Sequence, residues 1–192
     1  NKIERMNDNV VVVWASILKA IPDSRLFLKD KIFSDSAMRQ AVYSRFELVG
    51  IGENRLILEG KSPRSEYLAA YNRVDIALSP FPYGGGTTSA EGLWMGVPVI
   101  TKRGDHFLSH LGESIAHNTG LSNWIASDED DYVAKAIEFS SNLDDLAILR
   151  SRLRAQVVSS PLFHTERFGN HFERALRDMW NAKHKYINSS EE

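Results

Sequence analysis

The chain has 192 residues, 43% hydrophobic and 25% charged, with no cysteine, which allows one large globular domain or two small ones and excludes a low-complexity chain, a disulfide scaffold and a thiolate metal centre. Its 23 basic and 25 acidic residues leave a formal net charge of -2. That balance gives no bulk attraction for nucleic acid or an anionic membrane, so any anion site has to be built locally.

The opening NKIERMND has neither an initiator Met nor the apolar core of a signal peptide, and reads as a start within a longer protein. Residues 9–21, NVVVVWASILKAI, place Val10, Val13, Trp14, Ile17, Leu18 and Ile21 at three- and four-residue spacing. That spacing predicts a helix capped by Asp8, although the valine run alone favours a strand. PDS turns the chain into a strand at 25–29, RLFLK. A polar helix is expected at 35–48, broken by GIGEN, and RLILEG at 55–60 is the second strand.

Ser62 is placed to cap a short helix, RSEYLAAYNR, which leads into a third strand at 74–80, VDIALSP. Three consecutive glycines follow. A helix over TTSAEGLWMG closes at Gly96, and VPVIT at 97–101 is the fourth strand. Further helices are expected at 106–117, 128–141, 143–157 and 165–183, with a short apolar NWIA at 123–126 and His164 in a helix start capped by its neighbours. The last helix carries Phe168, Phe172, Leu176, Met179 and Trp180 on one face, and a polar tail occupies 184–192. No apolar run approaches the roughly 20 residues of a membrane span.

Strands alternating with helices at this spacing require right-handed βαβ crossovers. The expected fold is α/β: a single Rossmann-like three-layer domain over residues 1–183 with a mainly parallel sheet.

Ligands of such sheets sit beyond the carboxyl ends of the strands, where loops enter helix N-termini. The stretch PYGGGTTSAEG lies at such a place. Gly84, Gly85 and Gly86 permit positive φ and close approach of backbone to a ligand, while helix N–H groups and the hydroxyls of Thr87 and Thr88 can donate to phosphate oxygens. Glu91, one turn on, can accept from ribose hydroxyls. The same residues also satisfy a plain strand-to-helix turn whose threonines only cap the helix. Neither a Walker loop nor the GxGxxG fingerprint is present. In KSPRSEY, Arg64 can meet phosphate or lie along a base, Tyr67 offers a stacking face, and the backbone at Ser62 can read a base edge; a surface helix start is the plainer alternative. Lys2 and Arg5 can reach a diphosphate. His106 and His110 are four residues apart without a third ligand, so no metal site is expected.

Taken together, NKIERMND…VWASILKAIPDSRLFLK, ENRLILEGKSPRSEYLAAYNRVDIALSPFPYGGGTTSAEGLWMGVPVIT and SSPLFHTERF resemble, in order and spacing, the C-terminal half of the catalytic region of O-linked N-acetylglucosamine transferases and SPINDLY-like glycosyltransferases. The resemblance implies the nucleotide-sugar lobe of a two-lobed GT-B glycosyltransferase, cytoplasmic and preceded by tetratricopeptide repeats. Such an enzyme transfers N-acetylglucosamine from UDP-GlcNAc to Ser or Thr hydroxyls of proteins, without a metal or other cofactor. Its partners would be the nucleotide sugar, the N-terminal lobe and repeat region of the same protein, and a protein acceptor; UDP-glucose or GDP-fucose as donor, or a non-catalytic nucleotide-binding module, are the alternatives. By position, Lys2, Gly86, Thr87 and Thr88 would hold the diphosphate, Glu91 the ribose, and Ser62, Arg64 and Tyr67 the base. Arg5 stands where the family usually has the lysine that stabilises the leaving diphosphate, Tyr67 where animal members have a histidine, and His110 where an arginine is usual.

Overall fold

The computed structural model describes the backbone of residues 3–189 and the side chains up to residue 183. The valine-rich segment is helical: α1 (Asp8–Ala20) buries Val10, Val11, Val13, Trp14, Ala15, Ile17 and Leu18, so the three-and-four spacing outweighs the β-branched propensity. Its cap is Asn7 and not Asp8. Asn7 has the extended backbone a cap needs, and its side-chain oxygen accepts the Val10 N–H at 2.9 Å. Asp8 is already helical and instead pairs with Arg45 at 2.8 Å.

β1 (Leu26–Lys29) and β2 (Leu56–Glu59) run parallel, with Leu26 opposite Leu56 and Lys29 opposite Glu59. Between them lies α2 (Ser36–Glu47), and Gly50 at φ 79° turns the chain out of it. The short α3 (Arg64–Ala69) precedes β3 (Ala77–Leu78). This strand is much shorter than the expected 74–80. The Val74 N–H closes a 3-10 turn onto the Tyr71 carbonyl at 3.1 Å, and Pro80 has no N–H to offer a ladder. After β3 come α4 (Thr87–Trp94), terminated at Gly96 with φ 76°, and β4 (Val99–Lys102). A 3-10 turn, Phe107–His110, opens the next helix, α5 (Leu111–Asn118). The NWIA segment supplies a further strand, β5 (Ile125–Ala126), too short for any alternation to mark it. α6 (Glu129–Ser141), α7 (Leu143–Val158) and α8 (Thr165–Ser189) complete the chain, α8 running past the expected end at 183. His164 is itself the cap of α8, its Nδ1 accepting the Arg167 N–H at 3.1 Å.

Every strand pair is parallel, in two hydrogen-bonded sets, β1-β2 and β3-β4-β5. One continuous apolar cluster joins both sets to the helices, including Val10, Trp14, Phe33, Phe46, Leu93, Ile100, Tyr132 and Leu153. The architecture is the expected Rossmann-like α/β domain. α8 stands outside that core, with Phe168 68% and Met179 60% exposed along its apolar face. Among the described residues no helix is long and apolar enough to cross a membrane.

Arg55 ties α1 to the strand layer in a way the sequence does not signal. Its guanidinium donates to the carbonyls of Ser24 at 2.7 Å, Leu18 at 2.8 Å and Ile21 at 2.9 Å, gathering carbonyls of the last turn of α1 and of the turn that follows it. Arg55→Ala is expected to lower stability by about 2–3 kcal/mol, because several half-buried carbonyls lose a charged donor together. Arg55→Lys should recover only part of it, since an ammonium cannot reproduce the planar fork. Urea midpoints of the two variants measure the difference.

Candidate functional site

The carboxyl ends of the strands gather nearly all the residues singled out in the sequence. β3 runs through Ser79, Pro80 and a cis Phe81–Pro82 bond into the three glycines. The turn is held from below: the Ser79 hydroxyl accepts the Gly85 N–H at 3.1 Å, and the buried Tyr132 hydroxyl donates to the Ser79 carbonyl at 3.0 Å. From the side, Asn7 donates to the Phe81 carbonyl at 3.1 Å and Arg5 donates to the Gly84 carbonyl. The start of the chain is thereby fastened across the glycine turn.

None of these glycines has positive φ; Gly86 sits at φ -94° and ψ -90°. At Gly84 and Gly86 the need is steric. A Cβ on Gly84 would lie 3.0 Å from Ser79 Oγ, and one on Gly86 would lie 3.0 Å from Leu111 Cδ2. The turn therefore lies flat against its neighbours and presents backbone at the entrance of α4. Thr87 and Thr88 open that helix, Thr87 exposed and Thr88 half-buried. Its first N–H groups have no carbonyl of the same helix to reach and carry the positive end of its dipole.

Glu91, one turn into α4, is already engaged. Arg64 donates to Oε1 at 2.6 Å and the Tyr67 hydroxyl donates to Oε2 at 3.2 Å. Each carboxylate oxygen keeps lone-pair capacity for a further donor. The Arg64 guanidinium also lies 5.4 Å from the Tyr67 ring centroid, over its face. Tyr67 meets Tyr71 edge to face at 6.0 Å, and the Tyr71 hydroxyl donates to the Thr88 carbonyl at 3.2 Å. Burial, with the neighbouring Tyr67 hydroxyl, pushes the Tyr71 phenol far up, so it remains a neutral donor. The hydrogen bond to Glu91 raises Arg64 further.

Ser62 is not the cap of α3. Pro63 holds the cap position with no side-chain bond, and the buried Ser62 Oγ has no partner among the described residues. The helix begins one residue later than a serine cap requires. Lys2 lies outside the described residues. Arg5, Gly86, Thr87, Thr88, Glu91, Arg64 and Tyr67 thus share one rim, joined by α3, α4 and the first described turn of the chain. Tyr71, Asn7, Ser79 and Leu111 belong to the same rim and went unrecognised in the sequence. Only Tyr71 had a usable signal, its four-residue spacing from Tyr67.

Beside Leu111, Glu113 organises α5. It accepts from His110 at 2.8 Å and from Arg103 at 2.6 Å, and these contacts, His110 first, hold its carboxyl below the ordinary 4.5. His110 is therefore turned toward its own helix. A lowered folded-state value stabilises above the unfolded value and is lost as pH falls through the folded one. Glu113→Gln is expected to cost stability at neutral pH, with the deficit shrinking below about pH 4.5 and vanishing in stronger acid. Urea midpoints across pH 3–7 check it.

Comparison with known proteins matches residues 1–172 to the family described as glycosyl transferase family 41. The chain is 37% identical over 181 residues to the probable UDP-N-acetylglucosamine–peptide N-acetylglucosaminyltransferase SPINDLY of Solanum lycopersicum, covering 94% of this chain and 19% of the relative. It is 30% identical to the corresponding probable transferase SEC of Arabidopsis thaliana, covering 94% of this chain and 18% of the relative. Among solved structures it is similar to a mutant O-GlcNAc transferase of Thermobaculum terrenum, with a TM-score of 0.88, 34% identity, and coverage of 94% of this chain and 35% of that one. The chain thus spans about a fifth of the length of the curated relatives it matches. A match to the family over nearly the whole chain decides the assignment: the chain belongs to glycosyl transferase family 41.

Proposed function

We propose that this chain is the donor-binding lobe of a two-lobed GT-B glycosyltransferase that moves N-acetylglucosamine from UDP-GlcNAc to Ser or Thr hydroxyls of proteins. The observation that carries the reading is the convergence of the α4 entrance, Arg5, Arg64, Tyr67 and Glu91 at the carboxyl ends of parallel strands. Such a rim offers positive charge and helix N–H groups for a diphosphate, an aromatic face for a base, and a carboxylate for ribose.

In the transfer, the bond between the anomeric carbon and the diphosphate oxygen breaks, and the acceptor oxygen forms a new bond to that carbon. The acceptor proton passes to a base outside this chain, and the diphosphate leaves with the bonding electrons. Gly86, Thr87 and Thr88 at the helix entrance, with Arg5 and Lys2, would stabilise that developing charge, so the reading needs no metal. Arg64 and Tyr67, clamped to Glu91, would set the base and ribose ends, with Ser62 beside them. The reading places the protein in the cytoplasm and gives it an N-terminal lobe and tetratricopeptide repeats. The exposed stripe of α8 and the Phe107, Leu108 and Leu111 patch beside Gly86 would pack against that second lobe.

One observation favours a second reading, nucleotide binding without transfer: one donor of the Arg5 guanidinium is engaged by the Gly84 carbonyl. Calorimetric titration of the intact protein with UDP, GDP and NAD tests the first. Selective UDP binding is expected; preference for GDP changes the donor, and no nucleotide binding sinks the proposal. Sugar transfer by Arg5→Lys but not by the parent would favour the second reading.

A further inference from the structure

β3 leaves the sheet early to form the glycine turn, and the bonds at its end show what holds it there. Ser79 N–H still donates to the Ile100 carbonyl of β4 at 2.9 Å. A parallel ladder would next bring a strand N–H to the Ser79 carbonyl. That carbonyl accepts the Tyr132 hydroxyl, from the first turn of α6, at 3.0 Å, so a side chain stands where the sheet would continue. Both residues are buried, and water has no access to take over the bond. Burial also pushes the Tyr132 phenol up, which keeps its hydroxyl a neutral donor.

This bond is the first of two in series. The Ser79 hydroxyl accepts the Gly85 N–H at 3.1 Å, one residue before Gly86, whose carbonyl accepts the Ala90 N–H at 3.1 Å and so begins the ladder of α4. A buried side chain is thereby connected, through Ser79, to the entrance of the helix. α6 grips the same segment in a second way. The Tyr132 ring meets Phe81 edge to face, with 5.5 Å between centroids. On Phe81 the Lys102 ammonium lies 4.7 Å from the ring centroid, and it pairs with Glu129, the first residue of α6, at 3.1 Å. Being fully buried, Tyr132 cannot touch a nucleotide itself. Whatever it contributes to the rim passes through the Ser79 backbone and hydroxyl.

We propose that Tyr132 is a positioning residue for the diphosphate of the donor: acting through Ser79, its hydroxyl sets where the glycine turn and the entrance of α4 stand. The inference rests on the reading of that entrance as the diphosphate site. Donors aimed at an anion act through their placement, and a displacement of about 0.5 Å is enough to lose the productive geometry. A purely core-filling role would need only the aromatic ring. The hydroxyl is what the core does not require, and it is the part that reaches β3.

Titration of the intact protein with UDP and with uridine, which lacks the diphosphate, tests this. Tyr132→Phe keeps the ring and its contact with Phe81 and removes only the donor. It is expected to weaken UDP binding by about tenfold. Uridine binding should change by less than about twofold, because Glu91 is held separately by Arg64 and Tyr67. Exchange of the Gly85 amide should quicken by about tenfold in the same variant. Ser79→Ala, which leaves Tyr132 and its core contacts in place, breaks the chain one bond later and should show the same selective loss even where Tyr132→Phe folds poorly. The double variant should lose no more than the larger single loss, since both changes act through one element. Equal losses for UDP and uridine, which mark general loosening, would overturn the proposal, as would fully additive losses or unchanged UDP binding in Tyr132→Phe. A parent that binds no UDP removes the reading of the site and this inference with it, whereas a parent that binds UDP beside an unaffected Tyr132→Phe removes only the role of Tyr132.

Discussion

Gly112→Ala is expected to destabilise the protein by about 3 kcal/mol, whereas Gly169→Ala, the same change on another helix, should add up to about 1 kcal/mol to helix stability. Both glycines lie inside α-helices, where alanine has the better propensity. At Gly112 that gain is overwhelmed: an added Cβ would stand 2.0 Å from Thr101 Oγ1 and 2.9 Å from Thr101 Cβ. Thr101 is 3% exposed on β4, so neither the strand nor α5 has room to move aside. At Gly169 no atom of the described residues beyond its own stretch of helix backbone lies within 4 Å of the added carbon, and only the backbone entropy term remains. Thr101→Ala in the Gly112→Ala background should recover part of the loss, because it removes the closest atom and leaves the 2.9 Å contact. Thermal and urea unfolding read the Gly112 pair; helical circular dichroism and amide exchange in α8 read Gly169. Equal effects at the two positions would mean that α5 does not pack against β4 as closely as described.

The contrast also marks what a sequence can and cannot reveal. Periodicity exposed α1, because Val10, Trp14, Ile17 and Leu18 recur at helical spacing, and Gly50 and Gly96 announced helix ends through a backbone conformation that favours glycine. β5 escaped because two residues cannot display an alternation. The rim residues were legible as types: hydroxyls, a carboxylate, an arginine and a tyrosine beside strand ends. Their pairing was not, since the bond from Arg64 to Glu91 spans 27 positions and depends on how α3 lies against α4. In the glycine turn the expected positive φ is absent, and a steric reason stands in its place. Gly84 and Gly86 avoid side chains because Ser79 and Leu111 press on the turn, a tertiary fact with no local signature.

Thr87→Val with Thr88→Val is expected to weaken UDP binding by about a hundredfold while leaving the fold in place. Valine keeps the branched shape of threonine and removes the hydroxyl, so the helix entrance retains its N–H groups and its dipole but loses two donors. A hydrogen bond to a charged group contributes about 1.5–3 kcal/mol, and 1.4 kcal/mol is a factor of ten in affinity; two such bonds with partial compensation give roughly that loss. Arg5→Ala tests a different component of the same site. It removes a charge, so its penalty should shrink as salt rises, while the loss from the threonine pair should persist. Titration with UDP at low and high ionic strength separates the two, with melting temperature recorded for each variant. If the threonine pair binds UDP as the parent does, the diphosphate does not rest on the entrance of α4. Arg64 and Tyr67, which hold Glu91 from the neighbouring helix, would then mark where the nucleotide lies.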